Sequence, residues 1–267
     1  MTVRDPLDSG WSDTNKGDEA NPNYRSRFLG KEYKALHKGG QASLFAATPP
    51  SECMRMVASS GVSRETMRRK RRRGCPIGFM VLDVRRAHFY ARAQRRVFVR
   101  MPKEDPRYDP DDPTAELLQS LYGTRDAAAN WEAEYSGTLE RLGFVRGRGS
   151  ACLFIHRDKA IELMVHGDDF FATGPQEALD ELQKDLTAKY ECKVQRLGWE
   201  PGRQREVRLL GRMMTLDEEG LTIEADPALI DEVIAVLGLV DVKAAVTAAV
   251  RPEFFGPATS QEVMEAR

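Results

Sequence analysis

The stretch 161–174, IELMVHGDDFFATG, constrains the fold more than any other part of the chain. Two apolar runs of strand length, 161–165 and 170–173, flank His166-Gly167-Asp168-Asp169. Apolar strand, tight turn, apolar strand is the pattern of a β-hairpin. A second apolar run, IGFMVLDV at 77–84, ends on a single carboxylate, Asp83. An acid at the end of a buried strand is costly unless it meets a partner or a metal.

If these strands are neighbours in one sheet, Asp83, Asp168 and Asp169 gather at one edge of a core. Such a set suits nucleotide addition. Two divalent cations about 3.5–4 Å apart activate the attacking hydroxyl and stabilise both oxygens of the in-line displacement. Mg²⁺ takes oxygen ligands and keeps water and substrate phosphates in its shell, so a few rigid carboxylates suffice. Alternation of side chains along a strand makes Asp168 the expected main partner of Asp83, with Asp169 pointing elsewhere. The plainer reading of an Asp-Asp pair is ordinary turn chemistry.

The rest of the chain supplies the setting. Residues 1–23 are polar and read as a flexible lead-in without the apolar core of a signal peptide. No run approaches the length of a membrane span, so an intracellular protein with no membrane partner is expected. Residues 24–34 alternate basic and apolar positions, as a strand or hairpin would. A short helix after Pro49-Pro50 would turn Met54, Val57 and Ala58 inward. Further strands are expected at 97–101, 152–156 and 161–165, with a hairpin over 207–214 and 221–223. Helical spacing marks 127–142, about 175–190, and 227–237, the last with Leu229, Ile230, Val233, Ile234 and Leu237 inward. The stretch 114–122 is ambiguous. Strands joined by hairpins and interrupted by helices indicate an α+β fold with an antiparallel sheet.

The four cysteines and four histidines are scattered without metal-ligand spacing. Net charge is −1, yet residues 55–107 hold 16 Lys and Arg against 4 Asp and Glu. A basic segment on a neutral chain suggests a polyanionic partner. The hexad RRKRRR at 68–73 fits a disordered tract or localisation signal equally well.

Several blocks, in order, resemble the reverse transcriptase domain of Ty1/copia-type LTR retrotransposons. YRSRFLGKEYK is similar to a basic fingers block, and LFAATPPSECMRM to the block that follows it. VLDVRRAHFYARAQRRVFVRMP resembles the family's D-V-K-T-A-F-L-N-G block. SLYGTRDAAANW is very close to S-L-Y-G-L-K-Q-A-P-R-A-W. LGFVRGRGSACLFI, LMVHGDDFFATG and VRLLGRMM are similar to the later blocks. The resemblance covers about 24–250, with 251–267 left as a tail.

It implies a right-hand polymerase of fingers and palm, with a ferredoxin-like antiparallel palm sheet. The implied activity is RNA-directed DNA polymerisation with Mg²⁺ or Mn²⁺, on an RNA or DNA template with primer and deoxynucleoside triphosphates. Asp83, Asp168 and Asp169 would be the catalytic metal carboxylates. Arg25, Arg27 and Lys31 match basic finger positions that would meet triphosphate or template. Tyr122 and Gly123 would lie under the primer–template or the incoming nucleotide. Trp131 matches a family tryptophan whose helical spacing makes it core. His88 stands where the family has Phe or Tyr against a ribose 2′ hydroxyl, and would exclude it more weakly. Arg125-Asp126 replaces Lys-Gln, placing an acid near a polyanion groove. No integrase-like, protease or RNase H block is recognisable, so the chain reads as an excised or decayed piece. The alternative is a catalytically inactive relic that at most binds nucleic acid.

Overall fold

A computed structural model describes residues 6–17, 20–32, 46–71 and 74–240. Strands β1 (Ser9–Asn15) and β2 (Tyr24–Gly30) pair antiparallel over their full length. Residues 9–15 are therefore not the flexible lead-in the polar composition suggested. The hairpin is mostly exposed, so it carries no alternating apolar signal. Its anchors are few: the Trp11 and Phe28 rings lie 5.3 Å apart, and Leu7 exchanges backbone hydrogen bonds with Phe98 and Arg100.

Helix α1 (Ser51–Arg71) buries Met54, Val57 and Ala58 as the spacing required, but runs far beyond a short helix. Its extension rests on Glu65. This buried carboxylate accepts from both Arg68 (2.7 and 2.8 Å) and Arg69 (2.8 Å) one turn on, and from the Ile77 backbone N–H at 3.0 Å. The basic residues 68–71 thus close a helix rather than form a disordered tract.

Strand β3 (Ile77–Val84) follows. The short strands β4 (Phe98–Arg100) and β5 (Thr114–Glu116) pair with each other, and only this part of 114–122 is strand. Then come α2 (Ala127–Arg141), β6 (Val145–Arg146), β7 (Leu153–His156), β8 (Ile161–His166), β9 (Asp169–Pro175), α3 (Gln176–Lys189) and β10 (Cys192–Gly198).

The main sheet has the order β10-β3-β9-β8-β7-β6, with every neighbour antiparallel. Within it, β3-α2-β8-β9-α3-β10 is a βαββαβ unit with spatial order β10-β3-β9-β8, a ferredoxin-like arrangement. One face packs on α2 and α3 through Leu82, Val84, Phe170, Trp131, Leu139, Leu179 and Leu186. The other face packs Phe79, Val81 and Phe171 on α1 and on a three-stranded sheet. That sheet consists of β11 (Glu206–Leu209), β12 (Arg212–Leu216) and β13 (Leu221–Ala225). Cover on both faces explains the continuous apolar run of β3. Stretch 207–214 is not one strand: Leu210 and Gly211, at φ 51° and 68°, turn the chain between β11 and β12.

The chain divides into two compact units at Glu224/Ala225. Helix α4 (Pro227–Val236) opens the second, with the Asp226 carboxylate accepting from the Ala228 N–H at 3.1 Å. Leu229, Ile230, Val233 and Leu237, expected inward, are exposed. The described part of this unit holds no second element to cover them. The tail 251–267 lies outside the described residues. Among the described residues no helix is long and apolar enough to cross a membrane.

Burial pushes the Glu65 carboxyl up, but the donors from Arg68, Ile77 and Arg69 outweigh it and hold the group below its ordinary value. A lowered folded pKa gives stability that is complete above the unfolded value and is lost as pH falls through the folded one. Glu65→Gln is expected to cost about 1–3 kcal/mol at pH 7. In urea denaturation, the gap from wild type should close in acid, once the wild-type carboxyl is itself protonated.

Candidate active site at the end of the central sheet

Asp83 is the one residue of β3 that is not fully buried. Register sets its neighbours. It pairs with Asp169 on β9 and with Lys193 on β10, and Asp169 pairs in turn with His166 on β8. Cross-strand partners share a face, so Lys193, Asp83, Asp169 and His166 form one row across four strands. Asp169, not Asp168, is thus side by side with Asp83. The cause is the hairpin loop, which consists of Gly167 and Asp168 and takes Asp168 out of the ladder.

Gly167 has φ 62°, as the first central residue of a type II′ turn requires. The exposed Asp168 keeps its place through its carbonyl, which accepts from the Val84 N–H at 2.9 Å. The loop is also held from below. Trp131 of α2 is core, as its spacing indicated, and its indole N–H donates to the Gly167 carbonyl at 2.8 Å.

The three acids feel one another. Burial first, then the charges of Asp168 and Asp83, push the Asp169 carboxyl up to about 6. Among the described residues no group of three His, Cys, Asp or Glu side chains is gathered into a ready metal cage. The donor set is nonetheless all carboxylate oxygen, which suits Mg²⁺ or Mn²⁺ rather than a softer metal. Mg²⁺ is commonly held by one or two carboxylates plus substrate phosphates. The side-by-side Asp83 and Asp169 fit that demand.

A cavity of about 600 Å³ opens over Asp83. Its cations are Arg25 and Arg27 from β2, Arg85 and Arg86 just beyond β3, and Lys193. Glu191 anchors Arg85 at 2.9 Å and Arg86 at 2.7 Å. Trp11, Phe28, Phe89 and Tyr122 form its aromatic side. Burial, then Asp168, raise the Tyr122 hydroxyl pKa against the pull of Arg27, Arg25 and Arg86, which places this ring between acid and base. A second cavity of about 420 Å³ is lined by Asp83, Asp169 and Lys193 together with Gln195, Glu206 and Arg208. Asp83 and Lys193 stand on the wall that both cavities share.

The other expected residues divide. His88 does not line either of these cavities; its ring packs edge-on against Tyr122 at 4.6 Å, with Nδ1 buried and without a hydrogen bond. Burial lowers its pKa despite the nearby Asp168, so the imidazole is neutral at pH 7. Lys31 is exposed beyond β2, away from the cavity lining. Gly123 serves the backbone. At φ 83° it packs so close to β2 that an added Cβ would lie 2.2 Å from the Gly30 carbonyl, and the Gly30 N–H donates to the Tyr122 carbonyl at 2.8 Å. Asp126 faces no polyanion groove. It is buried and paired with Arg95 at 2.9 Å, and Arg95 also grips the buried Glu32.

Sequence reasoning missed Arg85, Arg86, Lys193 and Phe89. The arginines follow Asp83-Val84 directly, and that adjacency is a usable signal. Lys193 reaches Asp83 only through register and has none.

No family model matches the chain. It is similar to the Ty1-DR4 and Ty1-DR6 Gag-Pol polyproteins of Saccharomyces cerevisiae (strain ATCC 204508 / S288c). Both are 29% identical over 118 residues, 44% of this chain. The match spans only 7% and 6% of those polyproteins. Among solved structures, apo telomerase from Candida tropicalis, truncated from its C-terminal domain, aligns with a TM-score of 0.47 at 9% identity, over 85% of this chain and 56% of that one. Telomerase from Candida albicans, in complex with a fragment of telomeric RNA, aligns with a TM-score of 0.43 at 10% identity, over 83% and 47%.

Trp131→Phe keeps a ring in the core and removes the donor to Gly167. Stability is expected to fall by about 1–3 kcal/mol. Amide exchange at Val84, whose acceptor is the Asp168 carbonyl, should accelerate more than exchange at the centre of β3. Equal acceleration along the strand would show that the indole N–H does not hold the loop.

Proposed function

We propose that this chain is a reverse transcriptase domain, an RNA-directed DNA polymerase with its catalytic centre at Asp83, Asp169 and Asp168. One observation carries the reading: paired carboxylates at a strand end, of which Asp83 stands on the wall between a cation-lined cavity and a second cleft. The ordered blocks around the acids and the similarity to Gag-Pol polyproteins support it.

The cavity suits a deoxynucleoside triphosphate. Arg25, Arg27, Arg85, Arg86 and Lys193 would neutralise its phosphates, and Tyr122 and Phe89 would offer a flat apolar wall to sugar and base. The second cleft would take the primer terminus, leaving Asp83 between the two reactants. Asp83, Asp169 and Asp168 would hold Mg²⁺ or Mn²⁺. When bound, such a cation polarises the phosphoryl oxygen and lowers the pKa of the attacking hydroxyl. The protein's own part is positioning. Lys193 stands beside Asp83 on the neighbouring strand, Glu191 fixes the arginine pair, and Trp131 and Val84 lock the loop that carries Asp168.

The competing reading is an inactive relic that only binds nucleic acid. His88 favours it: the residue that stands where the family has Phe or Tyr lines neither cavity and packs on Tyr122 instead. Primer extension on a poly(rA)/oligo(dT) duplex with Mg²⁺ or Mn²⁺ separates the two. Wild type is expected to extend, and Asp83→Asn to lose at least roughly 10²-fold in rate, the scale of losing one electrostatic stabiliser. Duplex binding should persist in the variant. Binding without extension by wild type would leave the relic reading standing.

A further inference from the structure

The basic excess of residues 55–107 is not spread evenly over the fold. Arg85 and Arg86 belong to the cavity over Asp83. Arg95, Arg96, Arg100 and Arg107 are compensated by Glu32 and Asp126, Glu116, Asp8 and Asp105. Of the described cations that remain, Arg55, Arg64, Arg92 and Lys103 are scattered, and four lie together in the last turn of α1. There Arg68 and Arg69 share one carboxylate, and Lys70 and Arg71 are exposed with no ion pair among the described residues. The Arg69 guanidinium sits 5.1 Å from the centroid of the Trp199 ring, and Arg205 donates to the Trp199 carbonyl at 3.0 Å. The helix end and the 199–205 loop therefore form one positive pole. Acids border it: Glu65 and Glu200, which act on Arg68, and the exposed Asp217-Glu218-Glu219 turn, whose Asp217 carbonyl accepts from the Trp199 indole N–H at 2.6 Å, so the charges left over are those of Lys70 and Arg71 at the helix end.

Glu65 also accepts from the first amide of β3, so this pole is built onto the end of the strand opposite Asp83. Strand rise puts the two ends of β3 about 20 Å apart. Four consecutive cations fill a whole helical turn and project around a convex end. That geometry touches phosphates and does not read bases.

We propose that the pole formed by Arg68, Arg69, Lys70, Arg71 and Arg205 is a second nucleic-acid contact. It holds the phosphate backbone of a duplex about 20 Å from the carboxylates. Nucleic acid is preferred to a receptor for extended basic peptides because residues 68–71 are helical. Unwinding them would break the Glu65 contacts with Arg68 and Arg69. The proposal rests on the polymerase reading only for the identity of the polyanion.

The test measures binding of hairpin-capped duplexes of about 5 and about 18 base pairs to the full chain. At ~3.4 Å per base pair, only the longer one reaches from the carboxylates to the pole. Lys70→Glu/Arg71→Glu reverses the free charges; Lys70→Ala/Arg71→Ala removes them with a strong helix former and guards against misfolding. For the alanine variant, the salt dependence of log K on the long duplex should fall by about 2, because each phosphate left unneutralised lowers the slope by about 0.9. Affinity should drop at least tenfold at ~0.15 M salt. The glutamate variant should lose more. Short-duplex binding and primer extension on it should not change. Unchanged long-duplex binding, equal loss on both lengths, or dependence on the pole only with anionic lipid vesicles would overturn the proposal. Pole-dependent binding without primer extension would instead sink the polymerase reading and leave this one intact.

Discussion

The placement of two acids on adjacent strands, Asp83 beside Asp169, is the constraint on which the rest of the molecule depends. Like charges in direct cross-strand register repel, and burial makes the repulsion worse. Nothing in the acids favours this pairing. It is imposed from below, where Val81 meets Phe171 and Phe79 meets Thr173 on one face while Met80 meets Ala172 and Leu82 meets Phe170 on the other. A slip of one residue would turn Asp83 into the helix-packed face and drive apolar side chains out of both cores. The two cores therefore fix the site by fixing the register, and the carboxylate row inherits its geometry from residues buried beneath it.

That dependence explains what could be read before the fold was known. The hairpin around Gly167, the strand ending on Asp83 and helices α2 and α3 were legible because each buries an apolar pattern with a clear period. The N-terminal hairpin was not, since its strands lie largely in solvent and only a few rings mark them. The choice between Asp168 and Asp169 was also beyond the sequence. It turns on which residue the two-residue loop consumes, a matter of register and not of spacing. The extent of α1 was hidden for another reason: a run of arginines looks disordered until one buried glutamate is seen to gather them.

Charge in this chain is managed by local pairing more than by composition. Arg95 with Glu32 and Asp126, and Arg85 and Arg86 with Glu191, bring segments far apart in sequence to the same place. The acid at position 126, which looked misplaced beside a polyanion site, is buried because Arg95 compensates it. The near-neutral total therefore says little about the surface. What matters is where compensation stops, and it stops in the cavity over Asp83 and at the end of α1.

The junction of Gly30 with Gly123 has a consequence of its own. Main chain lies against main chain there, with no side chain in between. The spacing between β2 and the 122–123 turn is thus gauged by polypeptide dimensions, which do not vary with amino-acid identity. Mutation could recolour almost every surface of the hairpin and leave that spacing intact, provided two hydrogen atoms stay where methyl groups would otherwise be. An architecture toleranced in this way can drift far in sequence before it loses its shape.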